Sequence, residues 1–328
     1  MNACTKKHRT VIRSLLALSV MIPLLHGCAS ADPPPESIRF GVCADVHKDV
    51  MHDADQRLDV FVDRMNQRKV DFIIQLGDFC RPYAHNNGFM EVWNSFDGPR
   101  YHVLGNHDTD GGFTREQTVA YWKMPAKYYA FDKGGFHFIA LDGNDKTDPP
   151  QSGYARYIGA EQQQWLRREL ENTTLPTVVF SHQSLEDPGG IANGEAIRRI
   201  LEEANQAAGR KKVVACFSGH HHIDYSREIN GIHYIQINSM SYFWVGGDYQ
   251  HVRYSKEIDR DYPWIKYTVP YKDPLFALVT LGSDGTIQIE GTQSEWVGPS
   301  PWDIGYPADR KDRIVPHIST RRLEAAAK

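Results

Sequence analysis

Apolar runs of strand length alternate with amphipathic stretches through the first half of the chain. Ile38 to Ala44 is a nearly continuous apolar run that stops at Asp45. Leu58, Phe61, Val62 and Met65 then recur at helical spacing, which predicts a helix with one buried face. Val70 to Leu76 predicts a second strand, stopped by Gly77-Asp78, and Tyr101 to Leu104 a third, stopped by Gly105-Asn106-His107-Asp108. This strand, helix, strand order predicts an α/β sheet.

The later pattern mixes hairpins with further alternation. Asp132-Lys133-Gly134-Gly135 separates two apolar runs and predicts a hairpin, as do Asn230-Gly231 and Asp284-Gly285. Trp165, Leu166 and Leu170 predict a helix, and so do Ile197, Ile200, Leu201 and Ala204. Thr177 to Phe180 predicts a strand ending at Ser181-His182, and Val213 to Phe217 one ending at Gly219-His220-His221-His222. Two packed sheets flanked by helices accommodate both halves. No repeat or clean linker divides the pattern, which predicts one domain over residues 37–298 and a C-terminal tail over 299–328 that ends in the helical-spacer sequence Glu324-Ala325-Ala326-Ala327-Lys328.

Composition narrows the class. With 41% hydrophobic and 24% charged residues in 328, the chain has ordinary globular composition. A formal charge of −4 gives no global basic field, so a nucleic-acid polymer is not expected as partner. Lys6, Lys7, Arg9 and Arg13 precede the apolar run Leu15 to Leu25, which is too short to span a membrane. Together they predict an export signal over residues 1–28. Leu25-His26-Gly27-Cys28 resembles a bacterial lipoprotein signal, in which Cys28 would carry the lipid anchor. The alternative is plain cleavage and a periplasmic or secreted form. Asp32-Pro33-Pro34-Pro35 reads as a stiff tether within residues 29–36. Cys4 also falls in the signal; of the other three cysteines, Cys43 and Cys216 sit in apolar runs and are expected to be buried, and with Cys80 they leave an odd number for disulfides.

The chemistry lies where five apolar runs end: Asp45-x-His47, Gly77-Asp78, Gly105-Asn106-His107-Asp108, Ser181-His182 and Gly219-His220-x-His222. Strand ends gather distant side chains into one site. Four imidazoles, two carboxylates and one amide suit Mn, Fe, Zn or Co. Seven ligands exceed one tetrahedral zinc site and fit two divalent ions that share a carboxylate. Two ions carry +4 against −2 from the aspartates, which leaves a site suited to a phosphate oxyanion.

The five blocks, in this order, resemble the calcineurin-like metallophosphoesterase family over Ile38 to Ser239. Within it they look nearest to the branch of cyclic-nucleotide and glycerophosphodiester phosphodiesterases. The resemblance implies a two-sheet sandwich flanked by helices. It implies that Asp45, His47 and His222 hold the first metal, Asn106, His182 and His220 the second, and that Asp78 bridges. It further implies hydrolysis by a hydroxide held between the ions. His107 resembles the family's histidine that meets the phosphoryl group or protonates the leaving oxygen, with Asp108 expected to orient it.

Other residues are weaker candidates. His221 is expected to point away from the site, by strand alternation. His85 could line a substrate pocket. Residues 242–272 are rich in aromatics, Tyr242, Phe243 and Trp244 first among them, and are either a substrate-contacting cap or a plug on a sheet edge. The expected activity is hydrolysis of small phosphate esters, leaning to phosphodiesters or nucleotide pyrophosphates. A phosphomonoesterase is the nearest alternative, and a surface lipoprotein that only binds a ligand is one of another class.

Overall fold

The computed structural model describes Met1, residues 37–147, residue 149 and residues 152–324. The expected export signal, Cys28, the tether and residues 325–328 of the spacer lie outside the described stretches. Contacts divide the chain into Met1–Pro33 and Pro34–Lys328, and the second unit holds every strand and helix among the described residues. None of these helices is long and apolar enough to cross a membrane.

The first half alternates as its pattern predicts: β1 (Ser37–Cys43), α1 (Ala54–Arg68), β2 (Phe72–Gln75), α2 (Asn87–Asn94), β3 (Arg100–His102), α3 (Arg115–Trp122). A hairpin follows, β4 (Tyr129–Lys133) and β5 (Phe136–Ala140), then α4 (Ala160–Asn172), β6 (Thr177–Phe180), α5 (Gly194–Ala208) and β7 (Val213–Ser218). A second hairpin, β8 (Tyr225–Ile229) and β9 (Ile232–Gln236), turns at Asn230-Gly231, both with positive φ, as a tight hairpin turn requires. After it come β10 (Tyr242–Trp244), α6 (Lys256–Asp261), β11 (Thr268–Pro270), β12 (Ala277–Gly282), β13 (Ile287–Gly291) and β14 (Arg321–Leu323).

Two six-stranded sheets result, ordered β14-β13-β12-β1-β2-β3 and β4-β5-β6-β7-β9-β8. In the first, β1, β2 and β3 run parallel; in the second, β5, β6, β7 and β9 do. Their inner faces meet in a phenylalanine core. Phe40 and Phe72 stack at 4.8 Å on one sheet, and Phe40 meets Phe138, Phe180 and Phe217 of the other edge-on at 5.8–6.1 Å. Each such pair adds roughly 0.5–1.5 kcal/mol to simple burial. The predicted faces of α1 and α5 are buried, with Leu58, Phe61, Val62 and Met65 on one and Ile197, Ile200 and Leu201 on the other.

One expectation is corrected. The tail does not begin a separate stretch at residue 299. Ile314 and Ile318 are buried, and β14 extends the first sheet by pairing Ile289 with Arg321, so residues up to 324 belong to the same body. Cys43 and Cys216 are buried, as expected, and so is Cys80; none of the three forms a disulfide.

Candidate metal centre

The parallel strands deliver the site. Asp45 and His47 follow β1, Asp78 follows β2, Asn106 follows β3, His182 follows β6, and His220 and His222 follow β7. The loops are stitched to one another across the two sheets. Asp45 N–H donates to the Gly77 carbonyl at 3.0 Å and His47 N–H to the Asp78 carbonyl at 2.9 Å. His220 N–H reaches across to Asp45 Oδ2 at 2.9 Å. Ser239 Oγ holds the Asp45 carbonyl and Ser241 Oγ that of Val46, both at 2.8 Å. The chain runs so close here that a Cβ at Gly105 would collide with Asp78.

Backbone strain concentrates at these residues. Of eight non-glycine residues with positive φ among those described, five are Asp45, His47, Asp78, His220 and His222. Such conformations cost of order 1–3 kcal/mol each and persist where surrounding contacts impose them.

The donor atoms form two groups, Asp45 with His47 and His222, and Asp78 with His182 and His220, each within 4.8 Å. His222 Nε2 lies 3.2 Å from Asp45 Oδ1 and 3.3 Å from His47 Nε2. His182 Nε2 lies 3.2 Å from His220 Nδ1 and 3.1 Å from Asn106 Oδ1. Asp78 Oδ2 stands between the groups, 3.2 Å from His182 Nε2 and 3.7 Å from His47 Nε2. Ligands about 2.1 Å from a shared ion stand roughly 3.0–3.4 Å apart, so most of these spacings are edges of a coordination shell. The far nitrogens are already committed: His182 Nδ1 donates to the Leu76 carbonyl at 2.8 Å and His222 Nδ1 to that of Tyr242 at 2.9 Å. That fixes the tautomers with Nε2 bare toward the ion, as outer partners of metal-bound histidines do. The donor set therefore fits two divalent ions.

Electrostatics agree. Burial pushes His47 down to about 3, against the opposing Asp78 charge, and holds His220 well below its usual value. Burial works the same way on His182, but the Asp78 and Asp45 carboxylates outweigh it and raise that imidazole to about 9. A divalent ion takes the place of that proton when it binds.

Around the donors lies a cavity of about 780 Å³. His107 lines it, with its ring 4.5 Å from that of Tyr154 and 5.5 Å from that of His47. Tyr242, Phe243 and Trp244 line it too, joined by Trp264. Tyr242 is buried, and its ring stacks on His47 at 5.1 Å, so it supports a donor as well as a wall.

Three expectations fail. Asp108 does not orient His107; it is buried, and its carboxylate accepts N–H bonds from Asp78, Phe79 and Gly105 at 2.7–2.9 Å. Burial and the Asp78 charge push its carboxyl up to about 8, against those bonds. The partner of His107 is Asp110, missed in the sequence because it lies one turn further on, where Asp110 N–H closes a turn onto the His107 carbonyl. His85 does not line the cavity; its side chain is 70% exposed and stacks on Tyr83. His221 does line it, beside Ser184 Oγ at 3.2 Å, because β7 ends at Ser218 and strand alternation no longer applies. Arg81, also missed, lines the cavity and pairs with Asp110 at 3.3 Å; its signal was its place three residues after Asp78.

Comparison with known proteins accords with this geometry. A manganese-dependent ADP-ribose/CDP-alcohol diphosphatase from Oryza sativa subsp. japonica is 24% identical over 220 residues, 51% of this chain and 68% of that one. Its Arabidopsis thaliana counterpart is 24% identical over 226 residues, 53% of this chain and 72% of that one. A dimetal phosphatase from Danio rerio shares the fold with a TM-score of 0.58 at 17% identity, over 80% of this chain and 99% of that one. The sequence model described as calcineurin-like phosphoesterase matches residues 38–224, more than half of the chain. The chain belongs to the calcineurin-like phosphoesterase family, and it is a phosphoric ester hydrolase that works with two divalent metal ions.

Proposed function

We propose that this enzyme cleaves phosphodiesters or nucleotide pyrophosphates, with Asp45, His47 and His222 holding one ion, Asn106, His182 and His220 the other, and Asp78 shared. The cavity carries this reading. Its donors serve the phosphoryl group, while Phe243, Trp244 and Trp264 offer apolar rings to a second organic group. A phosphomonoester has no second organic group on its phosphorus to place there. The plant relatives, named for diphosphate substrates, support the same lean.

Two divalent ions, when bound, neutralise charge on phosphoryl oxygens and lower the pKa of water. The protein's own groups do the rest. His107 commits Nδ1 to Asp110, which leaves Nε2 for a phosphoryl or leaving-group oxygen. Arg81 adds a cation beside that pair. The stitched loops hold all of this in place before substrate arrives, which is where electrostatic catalysis gains most.

Turnover of bis(4-nitrophenyl) phosphate, 4-nitrophenyl phosphate and a nucleoside-diphosphate alcohol with manganese tests the reading. The two-sided substrates are expected to react faster; a strong preference for the monoester overturns the proposal in favour of a phosphatase.

The domain is also proposed to act outside the cytoplasm, tethered through a lipid on Cys28. The basic residues and short apolar run ahead of Cys28 support this. Labelled palmitate should enter the full chain and not Cys28→Ser; equal labelling of both refutes the anchor.

A further inference from the structure

We infer that residues 299–318 form a wall of the substrate cavity and that Tyr306 and Asp309 select the substrate's organic group, favouring one without negative charge. This rests on the diesterase reading above. The segment lies beyond the stretch that matches the family, residues 38–224. Its Tyr306, Asp309 and Ile314 nonetheless line the same cavity as His47, Asp78 and His107.

The segment is pinned at its C-terminal side. Buried Asp224 accepts from Ser319 N–H at 3.1 Å, Ser319 Oγ at 2.5 Å and Arg321 Nη2 at 2.7 Å, and its own N–H donates to the Arg313 carbonyl at 2.9 Å. Asn238 Nδ2 donates to the carbonyls of Val315 at 2.7 Å and His317 at 3.2 Å. Upstream, Trp302, Ile304 and Tyr306 pack on a cluster that includes Ile223, Phe243 and Ile314. Tyr306 meets Phe243 edge-on at 5.3 Å and Tyr249 at 5.1 Å. Ile223 directly follows the donor His222, so the wall is packed against the backbone that positions the metal site.

The lining charges are divided. Arg81 is the sole lysine or arginine among the described lining residues, and it is bonded to Asp110 beside His107. The wall segment brings an aromatic ring and a carboxylate instead. A neutral nucleoside gains ring contact there; a further phosphate on it meets Asp309.

Three 4-nitrophenyl phosphodiesters separate these contributions: the methyl ester, the thymidine 5′-ester, and the thymidine 5′-ester carrying a 3′-phosphate. With manganese present, the wild type should prefer the thymidine ester to the methyl ester by about tenfold in kcat/KM, and Tyr306→Ala should erase most of that ratio. The wild type should also disfavour the 3′-phosphorylated ester. Asp309→Asn should shrink that discrimination by about threefold and Asp309→Lys by about tenfold, as suits a partly screened charge. Unchanged ratios in Tyr306→Ala and Asp309→Lys, with the esters still turned over, overturn the wall alone. No hydrolysis of any of the three by the wild type overturns the diesterase reading, and the wall with it.

Discussion

His107 Nδ1 lies 2.7 Å from Asp110 Oδ2, and the same oxygen takes Arg81 Nη2 at 3.3 Å. Asp110 thus fixes both the tautomer of the histidine and the place of the arginine. Asp110→Asn should leave two metals per chain and lower kcat by about tenfold or more, a part of the 10²–10⁴-fold that a positioned acid supplies. Parallel metal loss, read by elemental analysis, would sink this assignment.

Asp108 should behave differently although it adjoins His107. Its two oxygens close three backbone N–H groups from two metal-bearing loops. In Asp108→Asn one oxygen becomes an amide that faces N–H donors. The expected loss is about 1–3 kcal/mol of stability, since buried N–H donors are left without an acceptor. Urea unfolding measures it; an unchanged midpoint contradicts the structural role.

Asp78 stands between the two donor groups, so its change is expected to reach both metals. Asp78→Asn should reduce bound metal at both positions and cut kcat/KM by at least about 100-fold, more than loss of an outer partner costs. The fold should persist, because the sheet cores do not involve this side chain. A variant with two tightly bound ions and near-normal turnover rules out the shared position.

Much of this was legible in the sequence, and the failures have physical causes. The central strands are legible because β2, β6 and β7 are buried along their whole length and so are largely apolar runs that end where the candidate donors begin. The seven candidate donors stand out in the sequence because each follows an apolar run. The Asp108 assignment assumed that sequence neighbours are spatial partners, whereas the turn at His107 to Asp110 brings the third residue around. The His221 assignment assumed a strand, whereas both flanking histidines have positive φ. The segment over 299–318 has no periodicity to read, because the long-range bonds to Asp224 and Asn238, not a regular element, hold it in place.

His102 gives a prediction about pH. It is buried among Phe79, Trp93 and Trp122, with ring centroids at 5.0–5.8 Å. Its Nδ1 takes a bond from Gln75 Nε2 at 3.1 Å, so the ring must be neutral, and the Gln75 Oε1 accepts the Gly77 N–H at 2.5 Å, next to Asp78. Burial, with the Arg100 charge in support, pushes the imidazole down to about 3. An unfolded histidine titrates near 6.5, so the unfolded chain binds the extra proton first as pH falls. The contribution is complete above about 6.5 and is lost progressively between there and about 3, amounting to roughly 2 kcal/mol at about pH 5. Asn at this position can still accept the Gln75 amide but cannot take the proton. His102→Asn should therefore be less stable at neutral pH through lost ring packing, yet lose less of its remaining stability on going from about pH 7 to 5. Urea midpoints at the two values decide it: equal losses in both proteins would mean that His102 is not the buried group that resists charging.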